Sequence, residues 1–447
     1  MDKRLLKAER LLAVAFVGVL LFFMGSILCV YLMGKMGKGP VADTLESAEA
    51  ISNRKEIEKE IEIDWQKLYP FTEEQLKQDI QAVPNAVKPL PERFFSYLKN
   101  WVNVYAKDHL VARLFWVKNA KLYEKFIHWN MASMSEYNGV VTLPDGYLTG
   151  LVEKRDVSES VKSTVELANF CKQRGIDFLY VNAPYKICKF EDAGISGKLD
   201  FSNQNADEFL KRIGEAGVKY YDLREVLHNE GLSHHGAFFR TDHHWRPETG
   251  LWASRHILQY LRDEYGYPVD PSVLEEDRFT AVNYPSWFLG SQGKKVTLEL
   301  TEPDDIALLY PKYPTSFHYQ IPNLDLDVSG GFSITYDMSH IKELDYYNKS
   351  PYSAYDYADQ PVIRIENQRL EGNIKLLVIH DSFANCVIPF LALEVQNVEA
   401  LDVRHFTGSV QNYITATKPD IVIVLYNANA ITGDIDWQSH ESLFDFR

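Results

Sequence analysis

The sequence predicts an α/β fold: a mostly parallel sheet with helices on both faces, a long insertion, and one N-terminal transmembrane helix ahead of it. Two observations predict it. Residues 11–33 form a run of 23 without a charge. Between 158 and 265, and again between 375 and 426, apolar strand patterns alternate with helical ones, and such alternation indicates a largely parallel sheet covered by helices.

The uncharged run is long enough to cross a hydrocarbon core of ~30 Å as a helix. A cleaved signal peptide is the competing reading, but its apolar region usually spans only ~7–15 residues and ends at a small-residue cleavage site. This run ends in Gly34-Lys35-Met36. Lys3, Arg4, Lys7 and Arg10 precede it, and only Lys35 and Lys38 follow before the chain turns acidic. The positive-inside rule therefore leaves residues 1–10 in the cytoplasm and carries the remainder across.

Residues 34–90 read as a stalk or linker. The stretch 42–64 is acidic and helical in pattern with little to bury, and Pro84, Pro89 and Pro91 mark a boundary near 90. The folded domain is expected over 91–447. Its first segment, to about 130, is rich in aromatics (Phe94, Phe95, Tyr97, Trp101, Tyr105) and reads as helices that cover a core.

Residues 158–173 read as a helix stopped by Gly175, and 176–182 as an apolar strand. A helix over 205–215 and a strand over 218–223 follow, with Gly217 between them. Pro247 suits the first turn of a helix that runs to about Tyr265 and turns Leu251, Trp252, Ile257, Leu258 and Leu261 inward. Residues 271–370 are rich in Pro, Tyr and Asp and lack a clean period, so they read as the insertion. Its Tyr284, Trp287, Phe288 and Tyr319 suit stacking on sugar rings or ordinary packing. The chain resumes with strand 375–380, a helix from about 384, strand 398–403, helix 408–416 and strand 420–426.

The formal net charge of −15 argues against nucleic acid, whose phosphates need a basic patch. Four cysteines, at 29, 171, 188 and 386, match neither a zinc site nor a dense disulfide framework. A single Cys171–Cys188 bridge stays open.

In parallel sheets ligands bind at the carboxyl ends of strands, and three such ends carry suitable side chains. The first is His380-Asp381-Ser382-Phe383. A serine on this strand-to-helix turn presents its hydroxyl at the sheet edge, with its own N–H facing a developing oxyanion. A plain helix N-cap by Asp381 or Ser382 is the alternative. The second is Thr241-Asp242-His243-His244-Trp245. On an extended loop, residues two apart share a side, so Asp242 and His244 act as a unit while His243 points away. His234, His235, His243 and His244 with a carboxylate also suit zinc, but no His-pair spacing on a helix or second carboxylate accompanies them, and no metal is assigned. The third is Tyr426-Asn427-Ala428-Asn429, whose amides are usable oxyanion donors. Arg404-His405 is a further candidate for substrate or acyl-group contact.

The tetrad Asp242-His243-His244-Trp245, followed much later by Asp381-Ser382-Phe383, resembles the DHHW protein family and is similar to the SGNH-hydrolase-like domains of the alginate O-acetylation proteins. Asp108-His109-Leu110-Val111-Ala112-Arg113, Asp145-Gly146-Tyr147-Leu148, Asp402 to Phe406 and Lys418-Pro419-Asp420 extend the likeness over roughly 95–430. It implies an SGNH-type, flavodoxin-like three-layer fold with the Asp-His pair ahead of the serine. By position Ser382 matches the nucleophile, His244 the base and Asp242 the orienting acid. Asn429 falls where an SGNH asparagine lies, although the chain reads YNAN for GxND and has His380 where the family serine block has Gly. Asp-x-His fits the alginate-type relatives.

The function so implied is O-acetylation of a cell-surface or secreted polysaccharide on the outer side of the membrane, through an acyl-enzyme and without a cofactor. The partner implied is a multi-pass membrane O-acyltransferase that delivers the acetyl group. A carbohydrate acetyl-esterase with the same triad, and a non-catalytic scaffold of an envelope polysaccharide complex, are the alternatives.

Overall fold

The structure is a computed structural model, and it describes residues 140–143, 146–190, 200–298, 301–372, 374–431 and 443–446. The chain divides into two compact units, Met1–Tyr123 and Glu124–Arg447, and all described residues belong to the second. The expected anchor at 11–33, the stalk, the aromatic stretch to 130 and the segment 108–113 lie outside the described residues. Among the described residues no helix is long and apolar enough to cross a membrane.

A short hairpin comes first, β1 (Val141–Thr142) against β2 (Leu148–Thr149). Then α1 (Ser158–Lys172) leads to β3 (Asp177–Ala183), and α2 (Ser202–Glu215) to β4 (Tyr220–Asp222). Gly175 and Gly217 sit between helix and strand at φ of +69° and +81°, where a side chain is strained. The second helix begins earlier than expected because the Asp200 carboxylate accepts from the Ser202 N–H at 3.1 Å. Strand β4 stops early because Asp222 caps α3 (Leu223–Asn229), accepting from the Arg224 N–H.

Helix α4 (Pro247–Tyr265) matches its expected span. Proline occupies the first turn, where its missing N–H is no loss, and Gly266 closes the helix at φ +73°. All five apolar residues assigned to its inner side are buried.

Next come β5 (Phe279–Phe288), α5 (Ser291–Val296), β6 (Asp304–Pro311), β7 (Phe317–Ile321), β8 (Leu326–Gly330) and β9 (Val362–Asn367). They are followed by β10 (Lys375–His380), α6 (Ile388–Leu391), β11 (Asn397–Leu401), α7 (Val410–Thr417) and β12 (Ile421–Asn427). In place of a helix from 384, a 3₁₀ turn at Ser382–Cys386 precedes α6. Pro389, near the start of α6, has no N–H to continue a longer ladder.

The central sheet has eight strands in the order β4-β3-β12-β10-β11-β9-β7-β8. The first five are parallel, and β9, β7 and β8 join antiparallel. Thus three strands of the segment 271–370 extend the main sheet, and β5 and β6 form a separate antiparallel pair. The fold is mixed α/β around a large sheet. Both faces are apolar: Leu376, Val378, Ile421 and Ile423 pack with α4, while Leu377, Ile379, Val422 and Val424 pack with Leu167, Phe209 and Ile414 of α1, α2 and α7. Strand β12 pairs with β3 on one side and β10 on the other, so it holds the middle of the parallel part.

Phe288 and Tyr319 are core residues, 1% and 0% exposed, so neither offers a face to a sugar. Tyr284 and Trp287 are partly buried against the same core. Cys171, Cys188 and Cys386 are buried, and the bridge left open between the first two is not formed.

Candidate active site

Strand β10 ends at His380, and Asp381 turns the chain. The Asp381 carboxylate accepts from the Phe383 N–H at 2.9 Å, and its other oxygen accepts from the Asn427 N–H and Nδ2 at 2.9 and 2.7 Å. Asp381 is therefore the N-cap, which leaves the Ser382 hydroxyl for another partner. Burial raises the Asp381 pKa, against the pull of the Asn427 donors and Arg404.

That partner is His244. Its Nε2 lies 2.7 Å from Ser382 Oγ, and its Nδ1 lies 2.5 Å from Asp242 Oδ1. Asp242 and His244 are 3% and 8% exposed, while Ser382 is half-buried. Asp242 also accepts from the His244 N–H at 3.0 Å and, on Oδ2, from the Ser291 N–H at 2.6 Å. Burial alone would raise its carboxyl, but the imidazoles of His243 and His244 and these donors hold it well below the usual range. A carboxylate on Nδ1 leaves Nε2 as the nitrogen that accepts a proton from Ser382.

His243 does not point away. The segment 241–244 is a series of bends rather than an extended chain, so strand-like alternation fails there. The His243 ring lies 3.8 Å from that of His244, centroid to centroid, and its Nδ1 meets Ser291 Oγ at 2.8 Å. Asp242, His243 and His244 present ligand atoms within 4.8 Å of one another, but both ring nitrogens of His244 are engaged with Asp242 and Ser382. His234 and His235 lie apart from this set: His234 meets the Tyr185 and Lys186 carbonyls, and His235 stacks on Tyr147.

Several groups that sequence reasoning passed over hold this geometry. Asp304, at the start of β6, accepts from the Arg240 and Thr241 N–H groups and from the Thr241 hydroxyl at 2.8, 2.7 and 2.6 Å. Gly290 stands against Asp242 so closely that an added Cβ would lie 2.2 Å from the Asp242 Cβ. The Trp245 indole donates to the Phe383 carbonyl at 2.9 Å. Tyr352 stacks on His244 at 4.0 Å and 13°, and its hydroxyl donates to the Ser382 carbonyl at 3.0 Å. Gly250 of α4 rests on the Cys386 carbonyl, with room for no Cβ. Of these only Trp245 belongs to a motif, the tetrad 242–245; Tyr352, Asp304 and Gly290 lie in the segment without a period.

The lesser candidates are anchored elsewhere. Asn427 donates to Asp381 and accepts from the Asn429 N–H at 2.8 Å. Arg404 forks onto the fully buried Asp402 and meets Asp359 at 3.2 Å. Asn385 donates to the same Asp359 at 3.0 Å. Asp359 is also close enough to His243, His244 and His380 to interact with each.

The family described as SGNH hydrolase-like domain, acetyltransferase AlgX, matches residues 145–279, a stretch that holds Asp242 and His244 and stops before Ser382. No curated protein matches the chain. Among solved structures, Bacillus cereus PatB1 with a sulfonyl adduct is 20% identical, with a TM-score of 0.56, over 69% of this chain and 98% of that one. A DHHW family protein from Eubacterium siraeum is 16% identical, with a TM-score of 0.52, over 69% and 96%. At such identities the likeness is one of fold. Residues 145–279 are thus similar to the SGNH hydrolase-like domain of the acetyltransferase AlgX, and the fold resembles that of a DHHW family protein.

Proposed function

We propose that the protein is a membrane-anchored, extracytoplasmic O-acetyltransferase that passes an acetyl group through Ser382 to a hydroxyl of a cell-surface or secreted polysaccharide. The observation that carries this reading is the pair of contacts at His244, 2.7 Å to Ser382 Oγ and 2.5 Å to Asp242.

His244 takes the Ser382 proton as Oγ bonds to the acyl carbon of the donor. The oxyanion is met by the Ser382 backbone N–H, with Asn429 as the assigned side-chain donor. Asn427 acts through Asp381, and Arg404 is assigned to substrate contact. The donor's leaving group departs with the proton from His244, and acetyl remains on Ser382. The sugar hydroxyl then gives its proton to His244 and attacks the acyl carbon, and the proton returns to Ser382 as its bond breaks. The span 11–33 and the stalk hold the domain where a multi-pass membrane O-acyltransferase would hand over the acetyl group.

A carbohydrate acetyl-esterase keeps the same site with water as acceptor, and the half-buried Ser382 gives water a route in. A non-catalytic scaffold is disfavoured, because it gives no reason for Ser382 and His244 to meet within hydrogen-bond reach.

The test is acetyl release from a chromogenic ester by the purified protein. Loss of Ser382 or His244 should lower kcat by ~10²–10⁴-fold, and loss of Asn429 by no more than ~10²–10³-fold. Equal rates for wild type, Ser382→Ala and His244→Ala would sink the reading. Stimulation by added oligosaccharide supports the transferase over the esterase. PatB1 is known with a sulfonyl adduct, so a sulfonyl fluoride that labels wild type but not Ser382→Ala is a second probe.

A further inference from the structure

Lys186 has no part in the proposed chemistry, yet it is fully buried beneath it. Its Nζ donates to the Leu148 carbonyl of β2 at 2.7 Å, to the Arg240 carbonyl at 3.4 Å, and at short range to the carbonyl of Asp242 itself. Buried ammonium groups ordinarily pair with a carboxylate. Here three backbone carbonyls take that place, and two of them belong to the loop that carries Asp242 and His244.

An ammonium has three donors and no acceptor, so it matches three carbonyl oxygens. A neutral amine has one donor fewer and turns a lone pair towards one of them. The loop is therefore built for the charged form. Burial pushes the amine down to about 7, while the charges of Asp242 and Asp304 pull the other way. His243 also faces it; burial first, then His244, and to a smaller extent the Lys186 charge keep that imidazole neutral. His234 touches the same segment through the Lys186 carbonyl, and the charge of Lys294 in α5 also interacts with Asp242.

We propose that Lys186 is a positioning residue for the Asp242–His244 pair: its ammonium pins the Asp242 backbone, and loss of the proton or of the amine lets the pair move off Ser382. The inference rests on the triad reading, and it adds a proton that the acyl transfer itself never moves.

The experiment is the pH dependence of ester hydrolysis by the full-length protein, wild type against Lys186→Met and Ser382→Ala, with thermal melts of each. Wild type should lose kcat on the alkaline side, well below the ordinary lysine value of about 10.4. Lys186→Met should have a kcat lower by about 10²-fold, the loss that accompanies a misplacement of about 1 Å, with KM within about 3-fold. Its alkaline limb should be gone. A folded Lys186→Met with wild-type kcat overturns the inference. A wild-type profile flat to about pH 9.5 also overturns it, and that result needs no folded variant. If wild type and Ser382→Ala hydrolyse ester alike, the triad reading has failed, and the pin is read from crystals instead. Wild type should keep the Lys186–Asp242 carbonyl contact at about pH 6 and lose it at about pH 9.5; an unchanged contact overturns the inference.

Discussion

Trp245 donates its indole N–H to the carbonyl of Phe383 at 2.9 Å, so the end of one motif grips the residue next to the serine of the other, 138 positions away. The bond is buried, and it fixes the serine turn relative to the loop that carries His244. Trp245→Phe should leave that carbonyl with the Tyr352 hydroxyl at 3.3 Å and the weaker Cys386 thiol at 3.7 Å as its side-chain donors. The expected cost is about 1–3 kcal/mol of stability, read by denaturant unfolding. The fall in kcat should exceed any rise in KM.

Tyr352 makes two kinds of contact, a ring on His244 and a hydroxyl on the serine turn. Tyr352→Phe keeps the first and loses the second. It should retain kcat within about 10-fold while losing about 1 kcal/mol of stability. Tyr352→Leu, which also removes the stack, should be the slower enzyme in the same assay.

Gly290→Ala is the sharpest steric test. The new methyl would lie 2.2 Å from Asp242 Cβ and 2.5 Å from its Cα, so the acid must move and the Ser291 N–H bond must break. A displacement of about 1 Å predicts a kcat lower by about 10²-fold. A variant with wild-type kcat would show that the acid tolerates displacement.

Asp356 gives the pH prediction. It is fully buried, accepts from the Tyr319 hydroxyl at 2.7 Å, and burial pushes its carboxyl up to about 8. The folded state thus holds a proton that the unfolded chain releases near its ordinary value of about 3.9. Between those values the folded form binds more protons, so this group's contribution to stability falls as pH rises from about 4 to 8. Asp356→Asn imitates the protonated acid, and asparagine tolerates the left-handed φ of +55°. The variant should have a flatter melting profile and gain about 1–3 kcal/mol over wild type near pH 8. A steeper profile would contradict the assignment.

The Ser-His-Asp set was legible because each member stands at a strand end or beside a helix start that periodicity alone marks. Pro247 and Gly266 bracket α4, and the apolar run 375–380 is a strand from end to end. The supporting residues were not legible for an equally physical reason. Strand β7 does alternate, burying Phe317, Tyr319 and Ile321 between His318 and Gln320, but β7 and β8 are five residues each, too short to stand out within 271–370, and β8 buries no residue. Lys186 reads in sequence as an ordinary solvated lysine, because nothing local reveals three carbonyls from distant segments. His243 was misplaced because alternation holds only for an extended chain. Asn427 lies in the expected place, but only the structure discloses that its amide is taken by Asp381.

The position of β12 has a consequence for biogenesis. Ile421–Asn427 fills the gap between β3 and β10, so the pieces bearing His244 and Ser382 have no shared backbone ladder until that strand inserts. During synthesis the nascent chain would emerge with its serine and its histidine still unjoined. Closure by a late, central, parallel strand is a high-contact-order event and folds slowly. The hydroxyl would thus gain its base only at the last step of assembly.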